Sequence, residues 1–321
     1  MVSARNAQRF IIAVVGPTAT GKSALAEALA CAHDGEVVSA DSMQVYRGMD
    51  IGTAKVPLDQ RSVAYHCVDI VAPDGECNAF IYKKAARAAF EDIWARDKQP
   101  ILCGGTGLYI RAAVEDFIEG EMGEERREHL REHLTQEAQR LGPEAFHAKL
   151  AAHDPESAAL IHPHNVRRVV RAFEWLEQES SYAEQASGFA ASRGVFPVIY
   201  LGMNLPREQL YERINARVWH MIDQGLLEEV EGLLEQGYRS SLTAQQAIGY
   251  KELLGVLSGT ETLETAVEQI QQVTRRYAKR QLSWFKRNEH IHWLDAQKPL
   301  EELTVEAEAL INDYIAEHTL P

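Results

Sequence analysis

The sequence predicts an α/β fold: a P-loop-containing parallel sheet core flanked by helices, with an all-helical insertion domain. Three observations carry this. Residues 16–23 read GPTATGKS directly after the apolar run 10–15. Short apolar runs then alternate with helical patterns up to residue 103. From about 120 to 188 strand-like runs stop altogether. The core is therefore expected to be discontinuous, 1–119 with 195–321, around a helical insertion at 120–194.

The run FIIAVV predicts the first strand. GPTATGKS then fills every fixed position of the phosphate-loop pattern G-x-x-x-x-G-K-[ST], with Gly16, Gly21, Lys22 and Ser23. The loop Gly16, Pro17, Thr18, Ala19, Thr20 and Gly21 can wrap a diphosphate or a nucleotide phosphate with its backbone N–H groups turned inward, Pro17 alone having none to offer. Lys22 adds a positive charge, and the Ser23 hydroxyl can ligate Mg²⁺, the expected cofactor. A helix at 23–33 points its positive end at the same anion. Further strands are predicted at 36–40, 67–71 and 101–103, with a helix at 78–97. Strand–helix–strand alternation makes the sheet parallel, and ligands then bind past the strands' carboxyl ends. Asp41 and Gly104-Gly105-Thr106-Gly107 lie there too. Asp41 could hold Mg²⁺ through water, accept a proton from a nucleophile, or cap its own turn. The second glycine turn could bring Thr106 near the phosphates, although tight strand-to-helix turns favour glycine anyway.

In the insertion, EERREHLREHLTQEAQRLG reads as a charged helix stopped by Gly142-Pro143. Further helices start near Pro143, Pro155 and Asn165. Strand character returns at 195–201, followed by helices at 206–236, 244–257 and 261–287, a strand at 291–294 and a helix at 300–316. Arg213 and Arg217 sit four apart on one of these helices. One could neutralise a leaving phosphate, or both could pair with Glu208, Glu212 or Asp223 on a solvated face.

The 321 residues carry a net charge of −14 and are 45% hydrophobic. No apolar run is long enough to span a bilayer and no signal peptide is evident, so a cytoplasmic protein without a membrane partner is expected. Cys31, Cys67, Cys77 and Cys103 lack C-x-x-C spacing and read as reduced thiols. An acidic chain argues against a nucleic-acid partner. Yet TRRYAKRQLSWFKRN (274–288) holds six cations and no acid, interleaved with Tyr277, Trp284 and Phe285. Arg167, Arg168 and Arg171 form a second basic spot in the insertion. Cations with aromatics suit a folded RNA, although an amphipathic helix burying its aromatics reads equally well.

Taken together, GPTATGKS (16–23), ADSMQVYRGMDIGTAK (40–55), GGTGLY (104–109), IHPHNVRRVVRAFE (161–174), QAIGYKE (246–252), KRQLSWFKRN (279–288) and HWLD (292–295) resemble the tRNA dimethylallyltransferases, also called tRNA isopentenyltransferases. The likeness runs from about residue 10 to 295. GPTATGKS alone fits many nucleotide-binding proteins; DSMQVYRGMDIGTAK and QAIGYKE are far more specific. The resemblance implies transfer of the dimethylallyl group from dimethylallyl diphosphate to the exocyclic amine of the adenosine 3′ of the anticodon in tRNA. It makes Asp41 the general base, with Lys22, Thr106 and Arg217 around the reacting centre. It sets Asp41, Ser42, Met43, Gln44 and Thr106, together with Gln246, Ala247, Ile248, Gly249, Tyr250 and Lys251, against the target nucleotide and its neighbours. Arg167, Arg168, Arg171, Lys279, Arg280, Gln281, Trp284 and Lys286 would meet the anticodon stem-loop, which the insertion would clasp. Nothing in the sequence requires more than a monomer. Two stretches depart from the family pattern: His162-Pro163-His164-Asn165 stands for HPND, and Ala64-Tyr65-His66 for Pro-His-His. The rival readings are a small-molecule kinase, a prenyltransferase acting on free adenine nucleotides, and a nucleotide-gated RNA-binding switch.

Overall fold

The computed structural model describes residues 9–116, 124–190, 193–238 and 244–318. The chain falls into two compact units, Met1–Val114 with Phe196–Pro321, and Glu115–Val195. The expected boundary at 119–120 lies outside the described residues.

The first unit begins with β1 (Ile11–Val15), α1 (Lys22–Ala32), β2 (Gly35–Ser39), β3 (Tyr65–His66), α2 (Ala79–Ala95), β4 (Gln99–Gly104) and α3 (Gly107–Val114). The second unit holds β5 (Glu115–Asp116), α4 (Glu124–Leu141), α5 (Pro143–His153), α6 (Pro155–Leu160), α7 (Val166–Leu176), α8 (Tyr182–Ala190) and β6 (Arg193–Gly194). The chain then returns to the first unit as β7 (Val198–Asn204), α9 (Arg207–Asp223), α10 (Leu226–Glu235), α11 (Leu254–Leu257), α12 (Leu263–Phe285), β8 (Ile291–Asp295) and α13 (Leu300–His318).

The sheet has six parallel strands in the order β3-β2-β4-β1-β7-β8. All five residues of β1 and of β2 are buried, as a sheet covered on both faces requires. Ile12, Val14, Leu25, Leu29, Ile101, Leu201 and Ile214 pack one face into a single core with Leu303 and Ile311 of α13. Because β1 is central, the phosphate loop leaves the sheet between the ends of its neighbours. The end of β4 meets the end of β2: Ala40 N–H donates to the Cys103 carbonyl (2.7 Å), and Thr106 N–H to the Ala40 carbonyl (3.1 Å).

Three elements differ from the sequence reading. In place of the strand expected at 67–71 there is a two-residue strand just upstream, Tyr65–His66, and an isolated bridge from Val71 to Tyr46, because Cys67 and Asp69 turn through the left-handed region (φ +59 for both) and break the extended run. The helix expected over 206–236 breaks into α9 and α10 at Gly225 (φ +96). The helix expected over 244–257 forms instead a chain of short 3₁₀ turns through Ala244–Gln246 and Lys251–Leu253, interrupted by Gly249 at φ +99. Helical periodicity in the sequence hid these two glycine turns, since an isolated glycine costs a helix only about 1 kcal/mol.

In the helical unit, Leu134, Phe146, Leu150, Val169 and Val170 form a core of their own. Asn165 caps α7, accepting from Arg168 N–H, so the fourth position of the altered HPHN motif still carries an efficient cap. The buried Glu174 carboxylate accepts from Arg131 (2.8 Å) and Arg171 (2.7 Å).

Candidate active site

The phosphate loop gains its shape from two local side-chain bonds and one distant one. Thr20 Oγ1 donates to the Pro17 carbonyl (2.9 Å), and Lys22 Nζ to the same oxygen (2.5 Å). Ala19 sits at φ +63, a backbone strain held at the loop's tip. Thr18 N–H donates to Gln281 Oε1 (2.9 Å), 263 residues away in α12. Gln281 Nε2 in turn donates to the Gly105 carbonyl (3.0 Å), so one buried amide ties both glycine loops together. No side chain caps the N-terminus of α1 and no acid lies in its first turn. Its terminal N–H groups therefore remain available to an anion.

Beside the loop opens a cavity of about 340 Å³. Thr18, Ala19, Asp41, Ser42 and Met43 form one wall; Gly52 and Thr53 continue it. Arg217 enters from α9 among Ile214, Val218 and Met221. The segment Gln246–Lys251 forms the facing wall, and Ile270, Val273, Thr274, Tyr277 and Arg280 of α12 close it. Asp41, Ser42, Met43, Arg217 and all of Gln246, Ala247, Ile248, Gly249, Tyr250 and Lys251 thus share one cavity, although 210 residues separate the first from the last (251 − 41).

One of the roles open to Asp41, the cap of its own turn, is filled in the structure. Its Oδ1 accepts from Met43 N–H (2.9 Å) and Gln44 N–H (3.4 Å), which holds the turn. Oδ2 has no protein donor among the described residues. Thr106 Oγ1 accepts from Ser42 N–H (3.0 Å) and stands 3.3 Å from Ser42 Oγ, so it braces the Asp41 turn. Arg213 and Arg217 separate cleanly: Arg213 donates to the Ala296 carbonyl (3.3 Å), whereas Arg217 makes no hydrogen bond or ion pair among the described residues. Burial lowers the Arg217 pKa, against the pull of the Asp41 charge. Burial also lowers Lys22 to about 8, with Arg217 adding to the fall and Cys103 and Asp41 opposing it. Burial and the Asp41 charge push the Tyr277 hydroxyl up to about 12, keeping it a neutral donor. Two cations crowded together, neither satisfied by a carboxylate, describe a site prepared for an anion.

Several of the residues expected at the tRNA already hold other parts of the protein. Gln281 is buried and its amide is spent on Thr18 and Gly105, so it braces the loops instead of facing solvent. Gln44 accepts from Ser39 Oγ (2.8 Å) and donates to the Thr53 carbonyl (3.2 Å), so it holds the loop's shape. Ala247 and Tyr250 are buried and can act only as cavity wall. Arg171 pairs with Glu174 and stacks over Trp175 (4.6 Å), which leaves Arg167 and Arg168 as the exposed cations of α7 without ion pairs among the described residues. On α12, Lys279, Arg280 and Lys286 are exposed, and Trp284 is half-buried over Gly107. Arg276, Lys279, Arg280, Ser283, Trp284 and Arg287 line an outer trough of about 480 Å³. Arg280 borders both this trough and the cavity.

The sequence reading missed the apolar wall, and it took Tyr277 as an aromatic of the basic segment without placing it in the cavity. A signal existed: Leu210, Ile214, Val218 and Met221 form the buried stripe of α9, and Arg217 falls within it. A cation inside an apolar stripe is the one aimed inward.

A phosphate loop at the centre of a parallel sheet, opening on a cavity with an unpaired guanidinium, defines a P-loop protein built to hold a phosphorylated ligand. Comparison with known proteins narrows the class. The chain belongs to the IPP transferase family, whose pattern it matches over residues 44–288, with an isopentenyl transferase match over 10–61. It is 45% identical over 297 residues to a tRNA dimethylallyltransferase of Exiguobacterium sp. (92% of this chain, 93% of the relative). It is 44% identical over 307 residues to that of Geobacillus thermodenitrificans (95% and 96%). Among solved structures, the tRNA delta(2)-isopentenylpyrophosphate transferase of Staphylococcus epidermidis superposes with a TM-score of 0.70 at 40% identity, covering 95% of this chain and 99% of that one. A eukaryotic dimethylallyltransferase acting on tRNA gives 0.80 at 27% identity, covering 98% and 81%.

Proposed function

We propose that this protein transfers the dimethylallyl group of dimethylallyl diphosphate to N6 of the adenosine 3′-adjacent to the anticodon in tRNA, releasing diphosphate. The observation that carries the proposal is Arg217, a partly buried guanidinium with no ion-pair partner among the described residues, lining one cavity with Asp41 and close enough to Lys22 for the two charges to act on each other.

Each participant has a defined task. The uncapped N-terminus of α1, Lys22 and Arg217 hold the diphosphate and stabilise the charge that builds on its bridging oxygen. Ile214, Val218, Met221, Ile248 and Val273 offer the apolar surface that a five-carbon chain needs. The carbon–oxygen bond to diphosphate breaks as the carbon–nitrogen bond forms, and the amine's proton passes to Asp41. Thr106 holds the Asp41 turn. Among the described residues no three His, Cys, Asp or Glu side chains cluster to hold a metal. That donor set still fits Mg²⁺, which commonly rests on one or two protein oxygens plus substrate phosphates; the Ser23 hydroxyl would hold it, and it would neutralise phosphate charge.

The acceptor adenosine must leave the anticodon-loop stack to enter the cavity. The trough of Arg276, Lys279, Arg280 and Arg287 suits the RNA backbone, with Arg167 and Arg168 of the helical unit as further cations for it. A monomer acting in the cytoplasm completes the reading; among the described residues no helix is long and apolar enough to cross a membrane. The test is direct. The protein is incubated with labelled dimethylallyl diphosphate and unmodified tRNA, AMP or ATP. Label in tRNA alone supports the proposal; label in the free nucleotides, or in nothing, refutes it.

A further inference from the structure

Glu229 does not line the cavity, yet the Asp41 wall and the wall facing it both hang from it. It lies in the first turn of α10, just after the Gly225 break. Its Oε2 accepts from the N–H groups of Asp50 (2.9 Å) and Ile51 (2.7 Å). Its Oε1 accepts from Gly52 N–H (3.1 Å) and from the Tyr250 hydroxyl (2.6 Å). Three successive N–H groups turned toward one carboxylate form an anion nest, here filled by the protein itself. The nest lies 177–179 residues back along the chain and Tyr250 lies 21 residues ahead. Gly52, Thr53, Gly249 and Tyr250 all line the cavity. The Tyr250 ring packs so closely on Gly52 that no Cβ would fit there. From the other side Lys55 Nζ fixes the same loop through Asp50 (2.7 Å), Asp69 (2.5 Å) and the Tyr46 carbonyl (2.6 Å).

We infer that Glu229 is a positioning residue that fixes the separation between the Ser42–Thr53 wall and the Gln246–Lys251 wall, and so sets how the acceptor nucleotide is presented to Asp41. The inference rests on the tRNA-transfer reading above. Glu229 touches no substrate; it acts through four hydrogen bonds. The phosphate loop is held by a separate set of contacts, Pro17, Gln281 and Gly105, so the part of the donor subsite that grips the diphosphate stays in place when Glu229 changes. That separation distinguishes positioning from a general contribution to folding, which would weaken both substrates together.

The experiment uses the full chain with Glu229→Gln, Tyr250→Phe and the double variant. A glutamine keeps the volume but turns an NH₂ group toward donors that need acceptors. Donor affinity is measured by titrating dimethylallyl diphosphate into the protein, and transfer is measured by steady-state kinetics on an unmodified tRNA. For Glu229→Gln the expected result is a donor Kd within twofold of the parent and a kcat/KM for tRNA about 10- to 100-fold lower, the scale of an ångström-sized misplacement. Tyr250→Phe should lower the same quantity less, and the double variant should be no worse than Glu229→Gln alone, because the phenol acts through the carboxylate. Parent-like tRNA kinetics in Glu229→Gln, equal losses for donor and tRNA, or additive effects in the double variant would overturn the inference. Should Glu229→Gln fail to fold, Tyr250→Phe decides it: an unchanged kcat/KM for tRNA is then the overturning result. A parent protein that transfers no label to tRNA would instead overturn the functional reading.

Discussion

Replacing Arg217 by alanine should slow transfer about 100- to 1000-fold and shift the alkaline limb of the pH profile upward. The magnitude follows from the surroundings of this side chain. Losing one pre-aimed donor to a developing oxyanion costs about 2.7–4 kcal/mol, and each 1.36 kcal/mol is tenfold in rate. Arg217 has no ion pair among the described residues to divert its charge, so the full loss is expected. The pH effect has a separate cause. Lys22 titrates at about 8, and the neighbouring Arg217 charge is one reason it lies so low. Donor binding needs the Lys22 ammonium, which is present below that pKa and lost above it. In the parent protein kcat/KM for the donor, which reports the free enzyme, should therefore fall as pH rises through about 8. Without Arg217 the repulsion is relieved, the Lys22 pKa rises, and the limb moves to higher pH. Arg217→Lys restores charge but not the planar fork, so it should recover only part of the rate. Transfer to tRNA would be followed with labelled donor between pH 6 and 10. An Arg217→Ala variant with a parent-like rate, or a slower one with its alkaline limb unmoved or moved down, would refute the reasoning.

Asp41→Asn keeps an acceptor for the Met43 and Gln44 N–H groups but removes the base, so single-turnover transfer should fall about 100-fold or more with donor affinity preserved; a parent-like single-turnover rate would contradict the role. Lys279→Ala with Arg280→Ala should raise the KM for tRNA and make log Kd against log salt shallower by about 1.5, the loss expected for two phosphate contacts; an unchanged slope counts against the trough. Glu36 is nearly buried and held by Arg96, Lys98 and His66, with the Arg96 hydrogen bonds foremost in pulling its pKa well below the usual carboxylate range. A carboxyl depressed in the folded state stabilises above its unfolded pKa of about 4.3 and ceases to do so as pH falls. Its three partners are themselves 25–40% exposed, so Glu36→Gln should cost only about 2 kcal/mol at pH 7 and flatten the acid side of the stability curve; an equally steep acid limb in denaturant titrations would rule this out.

The fold class was legible in the sequence because the phosphate loop dictates its own neighbours: GPTATGKS makes sense only between a strand and a helix. β1, α1 and β4 follow from apolar runs with clear ends. What stayed hidden depends on contacts made far along the chain. The strand expected at 67–71 has the right composition, but Lys55 claims the Asp69 carboxylate and the backbone turns to meet it. The segment 244–253 has helical periodicity, yet its backbone gives up regular bonding to wall the cavity. At the candidate site, the residue types around the anion were readable as motifs. Which members of each motif also hold the protein's own backbone was not: Gln44 and Gln281 read as contacts to a partner, and their amides are bonded to Ser39, Thr53, Thr18 and Gly105. An amide that satisfies two backbone groups leaves no mark in the local sequence.

The bond from Thr18 to Gln281 also bears on how the protein is made. Ribosomes add about 5–20 residues per second, so the 263 residues between these partners take roughly 13–50 seconds to emerge. For that interval the nascent amino-terminal segment exists without the amide that completes its loop. Fragments released early, before α12 has been translated, would carry an intact GPTATGKS yet hold isoprenoid diphosphate poorly, so aborted translation products would not sequester the cell's donor pool.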